Sequence, residues 1–453
     1  MPRRLAFLMT LSLSLVGANL PAAAQTATAT PARDLPFTAE QIEAAAYDGG
    51  DLPPGRSPLT AKVQVLLDRS GTSPGVIDGY KGGMSESAIR AFERRVGLVV
   101  DGMMDPHVWN LLQSYANLPI TQDYTITQED AEGLVDHIPT DYAEKAAMSS
   151  QGYTSIAEKL GERFHMDDKF IAFLNPGVTL QPGTTIKVTN PGSDITTKVS
   201  RIIVDKATRR VAAYDERGRM IVDYPATIGS TATPSPSGNH HVVTVALNPN
   251  YTYNPSKNFK QGDNDKVLVV PPGPNGPVGS VWIALSKPTY GIHGTPTPSR
   301  LFHGESHGCV RLTNWDAQEL AKLVRQGTTT VEFLEPGVTI ADVTGAGAPP
   351  PATSDEAVAT ASTAAAQAVA PTDTVTDTLP AGAATTTKPS APLALPATGA
   401  ADTPASGKTY ENTSEEAADQ MPPAGVQQGD PLSDALSGAL PDGFVVPPLE
   451  GEN

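Results

Sequence analysis

The last 111 residues, 343–453, hold 14 acidic and 2 basic residues, a net of −12, in runs of Ala, Pro, Thr and Gly with almost no aromatic side chains. Such a segment cannot bury enough apolar surface to offset the entropy of ordering it, so it is expected to be a disordered acidic tail. That confines any hydrophobic core to the first three quarters of a 453-residue chain. The formal charge of −17 is then a property of the tail more than of the rest, because residues 196–341 carry 15 basic and 11 acidic side chains, a net of +4. No basic stripe with interleaved aromatics is present, which excludes nucleic acid as a partner.

The other end also limits the fold. The chain opens MPRRLAFLMTLSLSLVGANLPAAAQ, with Arg3 and Arg4, an apolar run and then Ala22-Ala23-Ala24. This is the pattern of an export signal, residues 1–24, for which the general secretory route fits better than twin-arginine export. No cysteine follows the expected cleavage point, and no segment approaches the roughly 20 apolar residues of a membrane span. An exported protein of the periplasm or cell wall is expected.

Between the two ends the pattern changes three times. Residues 25–56 are expected to be a linker with one short helix over 38–47. In residues 57–115, Leu59, Val63, Leu66 and Leu67 recur at helical spacing, as do Ile89, Phe92 and Val96. Asp105-Pro106 is a helix start leading through Trp109 and Leu112. Two Asp-Gly loops, at 78–79 and 101–102, join these three helices into a small all-α bundle without a catalytic cluster. Its stretches "VIDGYKGG", "AIRAFERRVGLVVDG" and "DPHVWNLL" resemble the peptidoglycan-binding module of cell-wall enzymes.

Residues 122–191 read as a small α+β unit of strand, two helices and strand, with Ile156, Leu160 and Phe164 on one helical face and a closing strand at 185–188. The run "LNPGVTLQPGTTIKV" resembles a LysM glycan-binding module, whereas the long insertion after "YTITQED" departs from that module's compact spacing. A linker domain without sugar binding is the alternative reading.

From residue 197 short alternating runs bounded by turns, such as "RIIVDKATRRVAAYDERGRMIVDY", indicate antiparallel strands. With one amphipathic helix in "NWDAQELAKLV" they make a mainly-β domain over 197–336. This domain contains Cys309, the only cysteine of the chain. In an oxidising compartment a single thiol is either an intermolecular bridge, a buried hydrophobe or a reactive group. Its surroundings favour reactivity, because an imidazole and converging backbone N–H groups are what activate a thiol. His293 follows the apolar Tyr290-Gly291-Ile292, and Ser306-His307-Gly308-Cys309 forms a tight glycine-containing loop suited to oxyanion donors.

"YGIHGT" followed by "SHGCVRL", with thirteen positions from His293 to Ser306, resembles the L,D-transpeptidase (YkuD-type) catalytic family, and the likeness extends over about 198–334. The family's "SGTF"-like turn becomes Ser237-Gly238-Asn239-His240 here. The resemblance implies Cys309 as nucleophile, His293 as proton donor and acceptor, and His307, Gly308 and Ser306 as the shape of the nucleophile loop, with Gly308 and Cys309 amides as the oxyanion hole. His307 is the alternative base. Arg311, Gly294, Tyr253 and Trp282 are candidate substrate-binding residues, although Arg311 is equally readable as structural and the two aromatics as core. The implied reaction makes a cysteine thioester from a peptidoglycan tetrapeptide stem, releases D-alanine and passes the acyl group to an amine. Stem peptides, glycan strands, envelope proteins as acceptors and carbapenem-type inhibitors are the implied partners. An L,D-carboxypeptidase or a wall-binding protein with little catalysis are the alternatives. No cofactor and no metal is expected: His303 and His307 are four apart, but the glycines at 304 and 308 argue against the helix such a metal pair needs.

Overall fold

The computed structural model describes residues 35–229, 234–256, 260–302, 306 and 308–345. The expected signal segment, the first part of the expected linker and the acidic tail from 346 onward lie outside the described residues. So do His303, Gly304 and His307.

Helices begin where polar caps stand. Helix α1 (Ala39–Ala44) opens with a capping box between Thr38 and Gln41, α2 (Pro58–Arg69) with Ser57 ahead of a first-turn proline, and α3 (Gly83–Val96) from Gly82. In α4 (Pro106–Leu112) the Asp105 carboxylate accepts from the amides of His107 and Val108, both at 2.8 Å. The two Asp-Gly loops are tied down by a shared device. Gln64 Oε1 on α2 accepts from the amides of Asp78 at 3.1 Å and Gly79 at 2.7 Å, and Glu93 Oε2 on α3 accepts from those of Asp101 at 3.0 Å and Gly102 at 2.8 Å. Both glycines have φ of +76°, the left-handed conformation that costs a side chain-bearing residue.

Strand β1 (Thr121–Thr125) pairs antiparallel with β2 (Thr185–Thr189), and between them lie α5 (Tyr142–Ala147), α6 (Ile156–Arg163) and α7 (Asp168–Leu174). The strand, helix, helix, strand order read from the sequence is present, with α5 as the added element. This unit and the helical bundle share one hydrophobic core that runs from Phe37 through Leu66, Phe92 and Val108 to Leu160, Phe170 and Val188. Residues 35–56, expected as linker, belong to that core: Phe37, Ile42 and Leu52 are buried, and the Phe37 ring packs edge-on against Phe170 and Phe173.

The remaining strands are β3 (Arg201–Asp205), β4 (Arg210–Tyr214), β5 (Met220–Pro225), β6 (Gly238–Leu247), β7 (Tyr251–Tyr253), β8 (Leu268–Val270), β9 (Val281–Leu285), β10 (Gly291–His293), β11 (Val310–Arg311) and β12 (Thr330–Phe333). Eight of them form one sheet in the order β11-β10-β9-β6-β12-β3-β4-β5, while β7 and β8 pair separately. Two neighbouring pairs are parallel, β10 with β11 and β12 with β3. Helix α8 (Asn314–Leu323), capped by Thr313, buries Ala317, Leu320 and Leu323 against this sheet, and α9 (Ile340–Thr344) closes the described chain. No described helix is long and apolar enough to cross a membrane.

The loop after α2 docks on the sheet edge. Ser73 N donates to Asp223 O at 2.9 Å and Asp223 N to Gly71 O at 2.7 Å, so the otherwise open edge of β5 is covered. Gly71 is required at this approach, since a Cβ there would lie 2.7 Å from the Ile221 carbonyl oxygen. Beneath the contact Arg210, fully buried, donates through Nε to Asp223 Oδ1 at 2.6 Å and through its terminal nitrogens to Ser73 O, while Arg94 of α3 donates to the other Asp223 oxygen.

Candidate active site

The candidate centre is built on the parallel pair at the end of the sheet. Ile292 stands opposite Val310 and His293 opposite Arg311. Cys309 stands in the bend just before β11, its thiol donates to Thr289 O at 3.9 Å, and its side chain packs in the same buried cluster as Trp282. Cys309 and His293 are both 1% exposed. On the other side, His293 faces Trp282 across the antiparallel β9–β10 pair, and the two rings stack with centroids 5.4 Å apart. The indole lies where a side chain on Gly291 would go, since a Cβ there would meet it at 2.4 Å.

The imidazole is fixed in one tautomer. Its Nδ1 is 2.7 Å from the carbonyl oxygen of Gly294, and a carbonyl only accepts, so Nδ1 carries the proton. Burial, reinforced by the Arg311 charge, pushes the His293 pKa down to about 3, which keeps the ring neutral. Its Nε2 is buried and has no hydrogen-bond partner among the described residues, leaving its lone pair open. Gly294 cannot carry a side chain either, because Asn314 Oδ1 would stand 2.0 Å from its Cβ.

The loop that carries Cys309 is held from within. Ser306 Oγ donates to the Cys309 carbonyl and accepts from Gly308 N at 3.2 Å. The Gly308 amide, turned by a φ of +108°, is therefore engaged by Ser306 in this conformation, which differs from the expectation that it serves as an oxyanion donor. Sequence reading missed Ser235: its hydroxyl donates to Gly308 O at 2.6 Å and accepts from Gly229 N at 3.0 Å, bracing the loop from the opposite side. Nothing in "TPSPSG" distinguished that serine from its neighbours.

Of the other candidates, Arg311 is partly buried with its guanidinium close enough to interact with Cys309, Tyr142 and Tyr251, and burial lowers its pKa. Tyr253 is fully buried and its hydroxyl accepts from Gln261 N at 2.9 Å, so it braces a loop. Trp282 packs in the cluster that holds Cys309, Tyr251 and Tyr253. His307 lies outside the described residues, and its part as an alternative base is not assigned by position. Among the described residues no group of three or more His, Cys, Asp or Glu is arranged to hold a metal ion.

The family of L,D-transpeptidase catalytic domains matches residues 200–333, and that of peptidoglycan-binding domains matches 56–112. The L,D-transpeptidase YqjB of Bacillus subtilis is 30% identical over 133 residues, 28% of this chain and 67% of that protein. The chain belongs to the L,D-transpeptidase family. The L,D-transpeptidase YkuD of Bacillus licheniformis is 35% identical over 128 residues, 28% of this chain and 62% of that protein, so this chain spans about three-fifths of that relative. YkuD of Bacillus subtilis is 28% identical over 159 residues, 35% of this chain and 82% of that protein. The sheet and the Cys309 and His293 pair lie within the matched L,D-transpeptidase domain, and the helical bundle within the matched peptidoglycan-binding domain.

Proposed function

We propose that the protein is an exported peptidoglycan L,D-transpeptidase acting in the periplasm or cell wall. The observation that carries this is the neutral His293 ring, with Nδ1–H tied to Gly294 and Nε2 without a partner among the described residues, stacked on the Trp282 that packs in the Cys309 cluster. Nε2 takes the thiol proton as sulfur bonds to the carbonyl carbon of the third residue of a tetrapeptide stem. The peptide bond to D-alanine breaks, and the imidazolium returns the proton to the leaving amine. The acceptor amine of a neighbouring stem then attacks the thioester, loses its proton to Nε2, and the thiolate departs.

The nearby Arg311 guanidinium favours the thiolate by Coulomb attraction and faces the substrate's carboxylate. Ser306 and Ser235 keep the loop in shape, the Cys309 amide serves the oxyanion, and Gly308 contributes its own once the loop releases Ser306. Residues 57–115 would bind the wall and 122–191 would act as a LysM-like glycan module, together raising the local concentration of the domain at 197–336 on an insoluble polymer. The acidic segment beyond α9, which the sequence reading began at 343, is a spacer.

Intact-mass spectrometry with purified disaccharide-tetrapeptide tests this. A thioester on wild type, absent from Cys309→Ala, with dimer and free D-alanine among the products is expected. The Cys309 variant should lose at least about a thousand-fold in D-alanine release. Tripeptide without dimer would mean a carboxypeptidase, and acyl-enzyme resolved only by an added protein amine would mean protein attachment. A carbapenem should leave a covalent adduct on wild type alone.

A further inference from the structure

The insertion that lengthens the 122–191 unit reaches the reaction centre. Tyr142, the first residue of α5, stacks on Tyr253 with ring centroids 4.5 Å apart and meets Tyr251 at 5.8 Å. Tyr142 and Ala146 pack into the buried cluster that contains Tyr251, Trp282 and Cys309. The Tyr142 phenol also interacts with Arg311, and burial pushes its pKa up to about 12. An aromatic side chain from outside the matched catalytic domain thus stands beside the thiol and the guanidinium.

Both ends of the segment are tied to the catalytic domain by polar contacts. At the start, Asn264 Nδ2 donates to Asp141 Oδ2 at 2.8 Å, Tyr142 N to Gln261 Oε1 at 2.8 Å, and Gln261 Nε2 to Thr140 O at 3.0 Å. At the end, Gln151 N donates to Pro272 O at 2.9 Å and Asn275 N to Gln151 O at 3.0 Å. Gly273 accommodates that crossing, since a Cβ would come 2.1 Å from Gln151 O.

We infer that residues 140–151 are an intramolecular plug, with Tyr142 filling the donor side of the Cys309 cleft, and that the plug leaves before a peptide stem reaches the thiol. In this closed form Cys309 and His293 are each 1% exposed, whereas the proposed reaction needs a peptide carbonyl in contact with sulfur. Release has to break the tyrosine stacking and the buried Gln151 tie, but the helix has only six residues, Ala143, Glu144 and Ala147 are exposed, and Asp141, Gln261 and Asn264 at its start are only partly buried. The phenol occupies the place beside Arg311 that the carboxylate of the leaving D-alanine would take, so substrate competes with the plug for the same cation. This last step rests on the proposed transpeptidase reading; the occlusion of Cys309 does not.

The test is the rate at which iodoacetamide alkylates the full chain, read by intact mass, since Cys309 is the only thiol. Asn264→Ala loosens the start of the segment at a partly exposed position, and Tyr142→Ala removes the filling side chain. Both are expected to speed alkylation about 10-fold or more, with D-alanine release from disaccharide-tetrapeptide held or raised. Alkylation no faster than wild type in either variant overturns the plug. Faster alkylation with D-alanine release lost also overturns it, because Tyr142 would then be a working wall of the site. Faster alkylation in a protein that turns over no stem at all, wild type included, leaves the plug standing and removes the transpeptidase reading.

Discussion

Asp223 and His293 are both buried, toward opposite ends of the eight-strand order, and their surroundings treat polarity in opposite ways. At the junction Asp223 takes Arg210 on one oxygen and Arg94 on the other, and Arg210 continues to the Ser73 carbonyl. At the reaction centre His293 has one nitrogen bound and the other without a partner among the described residues. Burying an unsatisfied polar atom costs stability, so the second arrangement persists because the packing of Trp282 and the Gly294 carbonyl hold the ring in place. The junction is organised for holding modules together, and the proposed centre for a proton acceptor. An unpartnered buried atom is not by itself a mark of chemistry, since Arg94 Nε at the junction is another; at His293 it is a basic nitrogen in the cluster region of the one cysteine.

The largest expected effect breaks the centre and spares the junction. His293→Gln should cut D-alanine release by about 100- to 10,000-fold, the usual worth of general acid–base catalysis, while thermal unfolding moves by a few degrees at most. Asp223→Ala does the reverse. It leaves two arginines buried without their carboxylate, and calorimetry should show a loss of about 3–5 kcal/mol in stability. Folded molecules at low temperature should keep their kcat.

Acidity separates the two regions by sign. Asp316 of α8 accepts from Ser73 Oγ at 3.0 Å, and burial together with the charge of Asp68 pushes its pKa up to about 8. His165, within 2.9 Å of Asp68, opposes that rise. A carboxyl that binds its proton more tightly folded than unfolded contributes stability that is complete below about pH 4 and is lost as pH rises through about 8. His293, held near 3 against an ordinary value of about 6.5, contributes stability that is complete above about pH 6.5 and is lost as pH falls toward 3. Between pH 4 and about 6.5 the two contributions therefore oppose each other. In melting curves from pH 4 to 8, Asp316→Asn should remove the fall above about pH 6.5 and leave a rise below it, whereas His293→Gln should leave stability falling across the whole range. A slope unchanged in both would show that other groups dominate.

The smallest effect is at the surface. Lys322 and Asp194 pair at 2.7 Å with most of both side chains in water, so Lys322→Ala should change stability by about 0–1 kcal/mol and leave turnover untouched.

Much of this was readable before any coordinates. The cap at Asp105 starts a helix where a polar side chain precedes a proline, because capping is a contact over two or three residues. The strand ending at His293 and the glycine-rich loop at Cys309 are likewise local patterns. The shared core of the first two units was not readable, since Phe37 and Phe170 meet across a separation that periodicity within one helix does not register. The role of Ser235 was hidden for the same reason, its partner being the carbonyl of Gly308.

By itself the sequence determined where helices and strands begin, that one thiol stands in a glycine-bounded loop, and which family that loop resembles, because each of these depends on neighbours within a few positions. Tertiary structure alone decided that Arg94 and Arg210 converge on Asp223, that Nδ1 of His293 carries the proton, and that Tyr142 lies against the centre it precedes by 167 positions in the chain. Those outcomes depend on burial and on charges brought together from distant segments, and solvation and Coulomb energies follow distance in space, whatever the distance along the chain.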